Sequence, residues 1–256
     1  MTPIIKDQIN QFYLDHGIHP TNFRCPNQNF CRRFAHSQGM IEAKMSLVGS
    51  SYGEKYPKIV VVSLDPPGQG NKFFTSEQRT TEYIIKFTES ENYTMNRPNP
   101  HWAMTQILVK DILNLFGRKA IFGSAVIIDS YAGRPIENVT RFFAHVNVAK
   151  CSMNNPGKRQ AAREVHDKCS RAYLFEELKI LQPDILISQG KTTNEIMGEY
   201  LIGKPIIEND LPTSHTLNLD GLSPLWLAMR HPTQQLDKIR RDWPTYELAI
   251  LKWARK

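Results

Sequence analysis

Ile59, Val60, Val61 and Val62 stand in an unbroken β-branched run between Lys58 and Ser63. A strand with no polar residue at its centre must be covered on both faces, which is the condition of a parallel strand inside an α/β sheet. Ile185 to Ser188 and Leu225 to Met229 are short apolar runs of the same kind, and Phe122 to Asp129 and Phe142 to Val148 are further strand candidates. Between them lie stretches of helical periodicity. Residues 4–16 carry Ile4, Ile5, Ile9, Phe12 and Tyr13 at helical spacing, and residues 102–116 carry Ile107, Leu108, Ile112 and Leu115 before a stop at Gly117. Residues 173–181 and 242–254 are read as two more helices. The alternation predicts an α/β fold, a three-layer sandwich with a central, mostly parallel β-sheet flanked by helices.

At 256 residues the chain suits one large domain, residues 1–256, and the polar, Pro- and Asn-punctuated stretch around 76–101 is read as an insertion packed over the site. The net charge of +7 points towards a polyanionic partner without identifying it. No run of 18 apolar residues is present, so no membrane partner is expected. Met1 to Asn10 lacks a basic head followed by an apolar core, so no secretory signal is expected either. A cytoplasmic, reducing location follows as an expectation, and there cysteines bind metal more often than they form disulfides.

The four cysteines are two pairs far apart in sequence: Cys25 and Cys31 in an N-terminal loop, Cys151 and Cys169 flanking a second one. Together they predict one tetrathiolate site that closes the N-terminal loop onto the core. Such a site takes zinc or a 4Fe–4S cluster. Neither pair is a tight C-x-x-C knuckle, which favours the cluster over zinc. Four buried, unliganded cysteines are the plain alternative, since Cys is among the most buried residue types.

In a parallel sheet the ligand sits at the carboxyl ends of the strands. Asp65 follows the first strand, Asn147 ends a middle one, and His231 follows the last. A turn-forming Asp beside two prolines and a loop His before Pro232 are ordinary on their own. Asn inside a strand is less so. Their convergence on one edge is what marks a site.

The order of these features resembles the iron–sulfur uracil-DNA glycosylases, families 4 and 5 of that superfamily. The residues that carry the likeness are the strand end Asn147-Val148-Ala149-Lys150-Cys151, then Cys169, then the helix and strand that close on Gly190. The resemblance implies a uracil-DNA glycosylase-like fold and a DNA glycosylase acting, as a monomer, on uracil or a modified pyrimidine. It implies a 4Fe–4S cluster on Cys25, Cys31, Cys151 and Cys169, although five residues separate the first pair where the family has two. Ser63-Leu64-Asp65-Pro66-Pro67-Gly68 occupies the place of the first motif. Leu64 falls on the family 4 Glu, and Asp65 falls on the family 1 Asp that positions water. His231-Pro232-Thr233 resembles the late His motif, whose imidazole stabilises the departing base. Asn147 would read the flipped base, and Phe73 or Phe74 would stack on it.

The same likeness places a DNA-wedging loop at Gln234, Gln235 and Leu236, with Lys238, Arg240 and Arg241 beside it for phosphate contacts. Lys158, Arg159 and Arg163 could also reach the backbone. Lys191, at a helix N-terminus, is a further phosphate candidate. Two other functions remain compatible with these residues: excision of bulky modified cytosines from phage DNA, as an antiviral defence, or a catalytically silent nucleic-acid-binding module.

Overall fold

The computed structural model describes residues 2–35, 39–54, 56–66, 75–89, 100–118, 139–153, 161–232 and 235–255. Six strands form one sheet: β1 (Leu47–Val48), β2 (Ile59–Ser63), β3 (Phe143–Asn147), β4 (Ile185–Gln189), β5 (Thr213–Thr216) and β6 (Leu225–Met229), in the order β1-β3-β2-β4-β6-β5. The four central strands are parallel, as their all-apolar sequences require, and every residue in them is buried.

The two edge strands are antiparallel, so the sheet is mixed and parallel only in its middle. The reason is local for β5 and β6. They are joined by a short hairpin through Asp220 and Gly221, both in left-handed backbone conformation (φ +49° and +86°), and a short connection can only return antiparallel. Phe122 to Asp129, read as a strand from sequence, lies outside the described residues.

Helices cover both faces, an arrangement compatible with a three-layer sandwich. On one face lie α1 (Thr2–Asp15), α5 (Arg163–Cys169), α6 (Phe175–Leu181) and α7 (Lys191–Leu201), packed on Val60, Val62, Ala144, Val146, Leu186 and Trp226. On the other lie α3 (Thr81–Thr88), α4 (Pro100–Leu113) and α8 (Leu236–Trp253), packed on Ile59, Val61, Phe143, Ile187, Leu227 and Met229. The alternation of these residues is the period-two geometry of a strand buried on both sides. A short helix α2 (Gln28–Arg32) carries Cys31.

The N-terminal helix, α4 with its stop at Gly117 (φ +85°), and the central strands fall where sequence puts them. The helix expected at 173–181 is the second half of a longer one: α5 runs through a π-type turn at Ser170–Leu174 into α6. The terminal helix begins at Leu236 rather than Asp242, with Pro244 inside it. Within the stretch read as an insertion, Thr81 hydroxyl donates to the Ser46 carbonyl and Met45 N–H to the Arg79 carbonyl, so residues 79–88 are sewn to the chain leading into β1. No helix among the described residues is long and apolar enough to cross a membrane.

Candidate functional site

β2 and β3 end in register, with Ser63 opposite Asn147, and the parallel pairing runs on past both ends: Val148 N–H donates to Ser63 and Ala149 N–H to Leu64. Asp65 is thereby held one step beyond the edge of the sheet. Its carboxylate is mostly buried, at 13% exposure, and both oxygens are engaged. Oδ1 lies 2.7 Å from His166 Nε2, and Oδ2 accepts the Ala161 N–H at 2.9 Å.

His166 is a buried residue that sequence reading missed. It sits on α5 one turn before Cys169, so a single helix holds both the candidate carboxylate and one thiol. With Nε2 donating, its Nδ1 is buried without a partner among the described residues. A carboxylate has about four acceptor positions. Two are used here, so Asp65 can still take a water.

Asn147 is 3% exposed, and its carbonyl accepts Lys150 Nζ at 2.8 Å. Its side-chain amide makes no hydrogen bond among the described residues. His231 follows β6 and lies against Gly190, whose φ of +91° requires glycine at the start of α7. Burial lowers the His231 pKa, and the imidazole of His101, 5.0 Å away between ring centres, is pushed down to about 4 by burial and then by His231. Both rings are therefore neutral at neutral pH, and His231 is a hydrogen-bonding group rather than a cation.

Deeper on the same edge, His145 Nε2 lies 2.9 Å from Ser63 Oγ, and the ring stands edge-on to Trp102 at 5.1 Å. Burial, and then the Lys44 ammonium, drive its pKa well below the ordinary histidine value. Thr105 donates to Gln189 Oε1 at 3.0 Å, while Gln189 Nε2, Trp102 Nε1 and Gln106 Nε2 are buried without partners among the described residues. The carboxyl edge thus gathers the Asp65 carboxylate, the amides of Asn147 and Gln189, three neutral imidazoles and several unsatisfied donors. That set can bind a polar heterocycle and stabilise an anion leaving it.

The four cysteines belong to one buried core cluster, two from the N-terminal segment and two from the middle of the chain. All are buried, free of disulfides, and packed in the core under α1, α5 and α6. They feel one another: burial first, then Cys169, Cys25 and Cys31, raise the Cys151 pKa, with Arg79 opposing. Cys169 is pushed up to about 12 by burial, against Lys150. Sulfur also receives donors, with Lys150 N–H directed at Cys169 Sγ (3.2 Å) and Tyr173 hydroxyl 3.2 Å from Cys25 Sγ. Thiolate sulfur is the donor that soft metals and iron–sulfur clusters take, but burial raises the Cys151 and Cys169 thiols and so disfavours that form. Among the described residues, no group of three or more His, Cys, Asp or Glu side chains is placed to hold a metal ion.

Beneath the thiols Lys150 Nζ meets Glu177 Oε2, and Glu177 Oε1 accepts from Tyr13 (2.8 Å) and Ser46. Lys44 is buried alongside and pushed down to about 7 by burial, Arg79 and Lys150.

No protein-family model matches the chain, and no curated protein matches it.

The remaining residues picked from sequence are scattered. Phe73, Phe74, Gln234, Lys158 and Arg159 lie outside the described residues, and for Leu236 only its place as the first residue of α8 is described. Gln235 Nε2 donates to Glu208 Oε1 at 2.8 Å, and Lys238 meets the same oxygen at 3.1 Å. Arg240 meets Asp237 at 3.3 Å. Arg163 is held by Asp167, Glu195 and Glu199. Lys191 and Arg241 are well exposed, and among the described residues they meet Glu195 at 4.0 Å and Asp242 at 3.8 Å.

Proposed function

We propose that this chain is a DNA glycosylase with a uracil-DNA glycosylase-like fold, which takes uracil or a modified pyrimidine out of the base stack and hydrolyses its N-glycosidic bond. The observation that carries the reading is the placement of Asp65, Asn147 and His231 on one carboxyl edge, with Asp65 fixed by His166 on the helix that bears Cys169.

Breaking an N-glycosidic bond leaves positive charge on the sugar and negative charge on the base. Asp65 answers the first: its carboxylate orients a water towards the sugar, favours the cationic centre, and accepts the water's proton as the new C–O bond forms. His231 answers the second by donating a hydrogen bond to a base carbonyl as charge accumulates there. Asn147 offers a donor and an acceptor to the pyrimidine edge. Cys25, Cys31, Cys151 and Cys169 would hold the 4Fe–4S cluster that the resemblance implies; it would supply no bond chemistry and would tie the N-terminal loop to α5. Exposed Lys191 and Arg241 suit DNA phosphates better than Lys238, Arg240 or Arg163, which already face carboxylates.

Duplex and single-stranded oligonucleotides carrying uracil or modified cytosines, incubated with the protein and scored for abasic sites, test the activity. Abasic sites on one such substrate are expected. Binding without any abasic site would replace the reading with a silent nucleic-acid-binding module. The logarithm of the affinity for DNA lacking a target base should fall linearly with the logarithm of salt concentration. Lys191→Ala with Arg241→Ala should lower that slope by up to about 2, since each phosphate left without its cation accounts for about 0.9. Fluorescence anisotropy over a salt series measures it, and an unchanged slope would remove both residues from the interface.

A further inference from the structure

The last residues of neighbouring strands form one row across the carboxyl edge. Asn147 of β3 is opposite Ser63 of β2, and Val62 is opposite Ser188, which makes Gln189 of β4 the next in the row. Met229 of β6 follows it. Phe143, Val61 and Ile187 pack on the α4 side of the sheet, and an even number of residues separates each from Asn147, Ser63 or Gln189 on its own strand, so that row faces α4 too. Two strand spacings, about 10 Å, part Asn147 from Gln189. One six-membered ring with a hydrogen bond at each end bridges such a gap. On its other side Gln189 adjoins Gly190, against which His231 packs. Gln189 therefore stands between Asn147 and His231.

Gln189 is 3% exposed, and the fully buried Thr105 of α4 holds one end of its amide. The Thr105 hydroxyl lies 3.0 Å from Gln189 Oε1 and 2.8 Å from the His101 carbonyl, with one proton for the two. With the proton on Gln189, the amide is left with its Nε2 donors, which are buried without a partner among the described residues. With the proton on His101, the amide turned end for end donates to the Thr105 oxygen and is left with its own oxygen. The two ends are alike in size, so the turn needs no repacking. In either state one polar end is buried and unmatched, which is costly until a ligand meets it.

We propose that Gln189, pivoting on Thr105, is a second base-reading amide that pairs with the 3,4-edge of a pyrimidine in either sense, so that the site admits 4-oxo and 4-amino pyrimidines alike. The proposal rests on the glycosylase reading above. A uracil-type base has a donor at N3 and an acceptor at its 4-oxo group; a cytosine-type base has an acceptor at N3 and a donor at its 4-amino group. An amide locked in one orientation would reject one of them by leaving a buried group unpaired. An amide that exchanges its ends pairs with both, whichever of the two ring positions it meets.

The test measures binding by the full chain with cleavage removed. Single-stranded oligonucleotides carry 2′-fluorodeoxyuridine or 2′-fluorodeoxycytidine, whose glycosidic bonds resist hydrolysis, or an abasic analogue at the same position. Fluorescence anisotropy gives the affinities. The unaltered protein is expected to bind both pyrimidines more tightly than the abasic analogue and within about tenfold of each other, the scale of one unmatched buried hydrogen bond. A hundredfold preference for either would overturn the pivot. Gln189→Glu, whose carboxylate only accepts, should open a difference of more than about tenfold. Uracil is favoured if N3 is met and cytosine if the 4-substituent is met, and an unchanged ratio would overturn the proposal. Where urea midpoints show that Gln189→Glu does not fold, Gln189→Met decides: both affinities should fall together, and unchanged affinities would remove Gln189 from the base. If the unaltered protein binds neither pyrimidine better than the abasic analogue, the glycosylase reading itself fails, before any variant is made.

Discussion

Glu177→Ala is expected to lower stability by about 3–5 kcal/mol, the scale for removing one partner of a buried ion pair. Glu177 is fully buried and takes three hydrogen bonds, from Tyr13 on α1, from Ser46 ahead of β1, and from Lys150 after β3. Its loss strands the Lys150 ammonium beside Lys44 and Arg79, which enlarges the buried positive charge as well as breaking the bonds. Two variants separate those effects. Glu177→Gln keeps hydrogen-bonding capacity and removes the charge. Glu177→Leu combined with Lys150→Met removes both ions, and should be less destabilised than the single changes added together. Urea midpoints measure this. A loss below about 1 kcal/mol for Glu177→Ala would mean that water reaches Lys150.

The central strands were legible because burial on both faces leaves no room for polar residues, and Ile59–Val62 and Leu225–Met229 record that directly. The edge strands were not. β1 has two residues, and β5 reads Thr-Ser-His-Thr, partly exposed, because an edge strand is covered less and tolerates polar side chains. Helix α5 was missed because its seven residues are mostly charged, with only Val165 and Cys169 as apolar core contacts, and Arg163 ties it to Glu195 and Glu199.

The site divides in the same way. Asp65, Asn147 and His231 could be picked because strand ends are visible in sequence. His166 lies 101 residues from Asp65, and nothing in Glu-Val-His-Asp-Lys-Cys announces that partner. Arg79 sits in a polar stretch, Lys44 in a segment that sequence assigned to no element, and it is the backbone pairing of Ile41 with Ser152 and of Lys44 with Lys150 that buries Lys44 beside Lys150.

Asp65→Asn is expected to slow base excision by about 10²–10⁴-fold, the range for a group that moves a proton in the transition state, while DNA binding is kept. The substitution is conservative in this setting. The new Oδ1 can accept the Ala161 N–H, and the amide can donate to His166 Nε2 once that ring carries its proton on Nδ1, an atom now buried without a partner among the described residues. The fold is therefore preserved, and the negative charge is what disappears. Single-turnover rates should fall with little change in affinity, the pattern for an interaction made in the transition state. His231→Ala should lower the same rate by about 10²–10³-fold, the scale for one anion-stabilising donor. His166→Ala should cost less than Asp65→Asn, and His166→Gln, which still donates to Asp65, should recover part of that loss. Leu64, half-buried against the core, should tolerate substitution with little effect on rate. Full activity in Asp65→Asn would show that its bonds to His166 and Ala161 only anchor the β2 loop to α5, and the catalytic carboxylate would then lie elsewhere.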